Sequence, residues 1–356
     1  MTVETIDDSP PVGGARSSPP PAGRGSRSRT LLLPAGAVAL LVAAPYVLPV
    51  TTVLTLQEVV CFAVFATATN LLIGQGGLVS FGQAVFFGLG AYTVTLGWMH
   101  GGLPFWLTFA LAPVVGAVAA VLIGLVALRA RLLYFALITL AFSQLFYQLV
   151  EQNTGFTGGA NGVFGPVIPF WLENPVNGYL FLLGVALVCL LVLWRITASP
   201  FGLVLRATRE NRRRMEALGV NVYRHQVIAF AFSGAFCAVA GAMFVVNTQG
   251  SNAELFDWTT SGQAVMMPVI GGMFTFLGPT LGAFVYQFGH DWLVRYVSDW
   301  QLVLGAVLLL IVVVRPDGLA GAVSGRAVRR LSARIPGAIP GRLARRIARG
   351  RGSADV

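Results

Sequence analysis

An all-α polytopic membrane protein with about ten transmembrane helices is the fold class this sequence predicts, on three observations. First, 56% of its 356 residues are hydrophobic and only 11% are charged, against about 25% charged in soluble domains. A single soluble globule of this length would lack a polar coat. Second, apolar runs of spanning length recur along the chain. Crossing about 30 Å of hydrocarbon at about 1.5 Å per residue takes roughly 20 residues. Lipid offers the backbone no hydrogen bonds, so such runs are helices. Third, the arginines segregate to one side of the spans these runs define.

The elements follow in order. Residues 1–30 are rich in Pro, Gly, Ser and Arg, a composition that builds no core, and read as a disordered cytoplasmic tail. Ten apolar runs follow, at 31–50, 53–73, 78–99, 104–128, 132–150, 178–197, 226–247, 259–273, 278–297 and 300–315. The first follows a long polar stretch and precedes many spans, so it reads as an uncleaved helix rather than a signal peptide. The eighth is short and holds Pro268, Gly271 and Gly272, which predicts a broken or re-entrant segment. Residues 31–317 thus form the transmembrane domain, with 198–225 as its longest cytoplasmic loop. Residues 318–356 carry nine arginines and form an Arg-rich cytoplasmic tail. Short apolar groupings in that tail, such as Val328, Leu331 and Ile335, suit contact with anionic lipid.

Every one of the 24 basic residues is Arg. With the N-terminus inside, 23 arginines fall on cytoplasmic segments and only Arg295 falls outside. The outer loops carry Glu151, Glu173, Glu254, Asp257 and Asp299. Cytoplasmic loops carry the basic excess in membrane proteins, so both ends are expected inside (N-in/C-in). The net charge of +10 therefore reports orientation and not nucleic-acid binding, because no basic soluble domain exists.

The absence of Lys removes several chemistries: a Schiff base, a Lys general base and the phosphate-cradling G-x-x-x-x-G-K-[ST] loop. The chain is not expected to be an enzyme, and any ATP chemistry belongs to a partner. Cys61, Cys189 and Cys237 lie in apolar runs, and His100, His225 and His290 show no ligand spacing. No disulfide framework, metal site or cofactor is indicated.

Three segments invite a functional reading. The loop Ala198–His225 opens with Ser199-Pro200, a helix start, and Gly219 suits a helix stop. Leu203, Ala207, Met215 and Leu218 share one expected helical side, with Arg206, Arg209, Arg213 and Arg214 elsewhere. A pure topology anchor would not need those apolar positions, which favours a docking helix for a cytoplasmic partner. In Asn70–Tyr92, six glycines interrupt an apolar stretch that also holds Gln75, Ser80 and Gln83. Such segments either pack tightly or unwind beside a solute. Gly155–Gly165, GFTGGANGVFG, is either a flexible external loop or one that offers backbone groups at the membrane mouth, with Thr157 and Asn161 as its notable side chains. Gly77–Phe81 weakly resembles Gly272–Phe276 at an offset of 195 residues.

Intramembrane charge is scarce. Glu58 lies near the outer end of its span and reads as a hydrated boundary acid, although an inward-facing acid would mark an ion path. Asp291 and Arg295 read as an i,i+4 surface pair.

Together, Asn70–Tyr92, Thr157–Gly162, Arg206–Tyr223 and RPDGLAG at Arg315–Gly321 resemble the permease subunits of branched-chain amino acid ABC importers of the LivM type. The resemblance runs from about residue 50 to 321. It implies a subunit of the cell (plasma or inner) membrane that moves branched-chain amino acids, or a related solute such as urea or a short amide, into the cell. It implies cytoplasmic ATP-binding subunits, a second homologous permease and an extracytoplasmic solute-binding protein as partners. Arg206, Arg209, Glu210, Glu216, Ala217 and Gly219 would form the ATPase-coupling loop. Gln75, Gly76, Gly77, Ser80, Gln83, Thr157, Gly158, Gly159, Asn161 and Gly162 would belong to the translocation pathway. Three positions depart from the pattern: Gln83 where His is frequent, Phe274 where Gly is frequent, and Asn161 where Asp is frequent. A stand-alone secondary transporter or channel, and a non-transporting scaffold, are the competing readings.

Overall fold

The computed structural model describes residues 40–130, 132–165, 167–296, 302–303, 305–306 and 318–319. Residues 1–39, most of the last apolar run, nearly all of Arg315–Gly321 and the tail after residue 319 lie outside the described residues. The chain divides into residues 1–44 and residues 45–356. In the first unit, residues 40–44 are helical.

In the second unit, helix α1 (Val50–Asn70) continues through a π-helical turn, Leu71–Gly76. It is followed by α2 (Gln83–Met99), α3 (Phe105–Ala127) and α4 (Leu132–Gln152). A short α5 (Thr154–Thr157) and strand β1 (Val163–Phe164) lead to α6 (Pro175–Ala198). Next come α7 (Pro200–Glu210), α8 (Arg212–Ala217) and α9 (Val222–Thr248). Strand β2 (Gly250–Ser251), α10 (Trp258–Gly271) and α11 (Gly278–Tyr296) complete the described order.

Five of the described helices are long and apolar enough to cross a membrane: Val50–Gly76, Phe105–Ala127, Leu133–Gln152, Pro175–Ala198 and Val222–Thr248. The protein is an all-α polytopic membrane protein, and the expected ten spans are not established by the described residues. The third expected span is shorter than its apolar run. Residues 77–82 are non-helical and α2 begins at Gln83, because Gly77 takes φ 67° and closes the preceding turn as a left-handed cap. The eighth is indeed short. The 14 residues of α10 reach about 21 Å at about 1.5 Å per residue.

Helix α9 is the centre of the bundle and packs along α1, α2 and α3. Its approach to α2 is set by glycines. A Cβ on Gly90 would sit 1.9 Å from the Ala238 carbonyl oxygen, and one on Gly241 would sit 1.8 Å from that of Phe87. Small residues permit this backbone-to-backbone approach where no hydrophobic force drives helices together in lipid. Helix α1 packs on α6, α10 and α11.

One feature departs from a purely helical reading. β1 and β2 pair antiparallel, Val163 with Ser251 and Phe164 with Gly250, and so tie the glycine-rich Gly155–Gly165 loop to the end of α9. Of the two readings of this loop, the pairing favours a held segment over a free external one.

Candidate functional site

The loop Ala198–His225 folds as two helices rather than the one the sequence suggests. Asn211 breaks the run with φ −154° and ψ 94°, and its side chain accepts a hydrogen bond from the Arg214 backbone N–H. An Asn that satisfies an orphan N–H favours a helix start at that point. Ser199 precedes α7, but its hydroxyl donates back to the Ile196 carbonyl at 2.6 Å instead of capping. Gly219, at φ 84°, ends α8 as expected. The buried side of α7 is Gly202, Leu205 and Thr208. On the expected apolar side, Leu203 and Leu218 stand exposed and Ala207 and Met215 are half-buried.

Arg209 joins this loop to the bundle. Its Nη1 donates to the Gly74 carbonyl, which the π turn and the Gly77 cap leave accessible. Its guanidinium stands 4.9 Å over the Phe274 ring, within the range of a cation–π contact. A Cβ on Gly74 would lie 2.2 Å from the Met273 carbonyl oxygen. The break after α1 and the turn after α10 therefore touch backbone to backbone. Those are the neighbourhoods of the two weakly matching sequences, Gly77–Phe81 and Gly272–Phe276, and Arg209 reaches both. A cavity of about 190 Å³ here is bordered by Gly76, Gly77, Thr208, Arg209, Arg212 and Gln226.

The other loop residues act more locally. Arg206 donates to the Gly202 and Thr197 carbonyls, across the α6–α7 corner. Glu216 pairs with Arg212 at 2.9 Å with both side chains about half exposed. Glu210, Ala217 and Gly219 are exposed. Tyr223, at the loop's end, donates to the Leu125 carbonyl at 2.8 Å and braces the end of α3.

Of the expected pathway residues, Gln75, Ser80 and Gln83 are buried inside the bundle. The Gln83 Oε1 accepts from Ser233 and Cys237 on α9, while its Nε2 has no partner. The Gln75 Oε1 and the nearby Asn70 Oδ1 are also unpartnered. Buried polar atoms of this kind are costly, and three gather around one helix break. Backbone N–H groups at and just before the start of α2 are met by side chains from other helices: Phe81 by Thr139 and Ala84 by Ser261. In the second glycine-rich loop the Thr157 hydroxyl reaches the Val150 and Asn153 carbonyls, 2.6 Å from each. Gly158, Gly159 and Gly162 all take positive φ, and Asn161 is exposed. Thr157 is thereby committed to holding its own loop.

The opposite end of α1 holds a larger cavity, of about 380 Å³, that sequence reasoning did not assemble. Glu58 lines it and is not merely a hydrated boundary acid. Its carboxylate accepts from Asn247 on α9 and Gln287 on α11. Asp291, expected to pair with Arg295, accepts from Thr55 at 2.8 Å and lies 3.5 Å from the His290 Nδ1. Asn247 and Gln287 lie 189 and 229 residues from Glu58 in the chain, so no local spacing announces them.

With this geometry in place, the comparisons with known proteins are decisive. Residues 51–313 match the model of the branched-chain amino acid transport system permease component family. The chain belongs to this family. The permease is 28% identical over 326 residues to the high-affinity branched-chain amino acid transport system permease protein LivM of Escherichia coli K12, covering 84% of this chain and 77% of that one. It is 30% identical over 285 residues to the Salmonella typhimurium protein of the same name, covering 72% and 67%. A shorter likeness, 28% over 156 residues and covering 41% and 45%, joins it to the autoinducer 2 import system permease protein LsrC of Photorhabdus laumondii. No solved structure matches the chain. The permease is thus a multi-pass membrane subunit of an ABC importer, and a transport component rather than an enzyme.

Proposed function

We propose that this permease carries branched-chain amino acids inward, with Ala198–His225 on the cytoplasmic face as the docking site for ATP-binding subunits. The observation that carries the coupling role is the Arg209 junction. Helices α7 and α8 present Leu203, Leu218, Glu210 and Glu216 outward, while Arg209 holds the Gly74 carbonyl and the Phe274 ring. A displacement of α7 by a moving partner is delivered through one side chain to two helix breaks at once. Exposed apolar residues on a charged helix pair suit a protein partner, because such anchors are shielded when a complex forms. The 23-to-1 division of arginines supports the assignment of this loop to the cytoplasm.

A second homologous permease and an extracytoplasmic binding protein complete the proposed assembly. The relatives' names support the solute class, and the chain's lack of a phosphate-binding Lys supports the need for separate ATPases. The test is ATP-driven leucine uptake in proteoliposomes holding the full complex. The double variant E216A/G219V is expected to abolish uptake while ATP hydrolysis continues uncoupled. Uptake at the wild-type rate in that variant would remove the coupling role from this loop.

A further inference from the structure

The cavity beside Glu58 has three properties that together define a ligand class. Its volume, about 380 Å³, lies in the range of small-molecule sites, about 300–1,000 Å³. One wall is a cluster of three rings from α1, α2 and α9. Phe87 and Phe244 are 5.6 Å apart by centroid, Phe62 and Phe87 6.0 Å, and Phe62 and Phe244 6.1 Å. Facing the rings are polar groups that include the Glu58 carboxylate, Glu254, Gln263 and His290, and no arginine is among the residues lining the cavity.

The hydrogen bonds to Glu58 are informative. Asn247 donates to one carboxylate oxygen at 3.1 Å and Gln287 donates to the other. Both donors are neutral amides. They fix the direction of the carboxylate without neutralising it. A carboxylate has about four acceptor sites, so roughly two remain for a ligand. Asp291 lies near enough to add a second negative field, and His290, which also lines the cavity, acts in the opposite sense. A cation with several N–H donors completes such a site, and aromatic faces add to the attraction for a cation.

We infer that this cavity is a substrate site for a small solute that carries an ammonium group and an apolar side chain, with Glu58 receiving the ammonium group and Phe62, Phe87 and Phe244 receiving the hydrocarbon. The assignment rests on the importer reading above and names the residues that select the solute within it. Neutral amides and urea lack the charge that Glu58 reads. Thr260 and Glu254 stand at the same cavity, and the Thr260 hydroxyl donates to the Glu254 carbonyl at 3.1 Å.

The experiment uses the full complex in proteoliposomes, with radiolabelled L-leucine as the probe and unlabelled urea and acetamide as competitors. E58Q, which keeps the shape and removes the charge, is expected to slow leucine uptake at least tenfold, with E58D recovering part of it. T260R places a guanidinium at the cavity and T260E a carboxylate. T260R is expected to import leucine at least fivefold more slowly than T260E. That pair decides the matter if E58Q fails to assemble. Wild-type uptake of leucine together with equal uptake by E58Q, or by T260R and T260E, would overturn the site and leave the importer reading intact. Competition by urea or acetamide as strong as by unlabelled leucine would overturn the ammonium assignment. A wild-type complex with no ATP-dependent uptake of leucine would overturn both readings.

Discussion

The two ends of α1 are built on opposite principles. At the Gly74 end, backbone meets backbone and one arginine bridges two helix breaks. At the Glu58 end, some 16 residues and about 24 Å away along the helix, side chains stand back from an open cavity. The first arrangement suits the proposed transmission of displacement, because a close-packed contact has little slack. The second suits the proposed solute site, because its carboxylate is oriented by neutral donors.

The largest effect should come from filling the tight end. G74V puts a branched side chain where even a Cβ would stand 2.2 Å from the Met273 oxygen. Overpacking of this kind costs about 1–3 kcal/mol or more, and a clear fall in melting temperature of the detergent-solubilised protein is expected. A melt equal to wild type would mean that the two turns part easily and transmit nothing.

R209A should come next. It removes a charge-assisted hydrogen bond, a type worth about 1.5–3 kcal/mol, so uptake should fall about tenfold or more while the complex still assembles by gel filtration. R209K should not rescue it, since an ammonium lacks the planar fork. F274G isolates the ring contact. A surface cation–π contact is worth about 0.5–1 kcal/mol, so uptake should fall a few-fold at most. A large loss would show that coupling depends on the ring itself.

E216A is expected to change stability by less than about 0.5 kcal/mol, as the Arg212–Glu216 pair is an exposed i,i+4 contact. Any larger loss of coupled ATP hydrolysis then reports partner contact rather than folding.

The smallest effect is a pH dependence at the start of α10. Burial pushes the Asp257 carboxyl up, but hydrogen bonds from Thr259, Gln144 and the backbone N–H of Trp258 outweigh it and hold the group below the ordinary aspartate range. A depressed folded-state pKa gives stability that is present above the unfolded value, ordinarily about 3.9, and is lost as pH falls through the folded one. Wild type should therefore lose slightly more stability than D257N on acidification below about pH 4. Parallel acid melts would show that the cap contributes nothing.

Much of the architecture was legible in the residues. Runs such as 104–128 and 226–247 match α3 and α9 to within a few residues, because a lipid-exposed backbone has one way to satisfy itself. An interruption near Gly74–Gly77 was legible too, since Gly77 is free to take positive φ, but its extension through Gly82 was not. The buried stripe of α7 was not. Leu203 and Leu205 are equally apolar, and which of them faces the π turn is set by the angle at which the loop meets α1. The Glu58 cavity was invisible for the same reason: Asn247, Gln287 and Phe87 have no local signature.

The sequence by itself determined the membrane class, most helix positions, the sidedness expected from its arginines and the need for an outside ATPase. Those follow from local rules of length, polarity and missing side chains. Only the tertiary structure decided that Arg209 spans two helix breaks, that Thr157 serves its own loop, and that Glu58 faces three aromatic rings. Each of these depends on which faces of distant helices meet, and glycine-set backbone approach fixes that only once the whole bundle is packed.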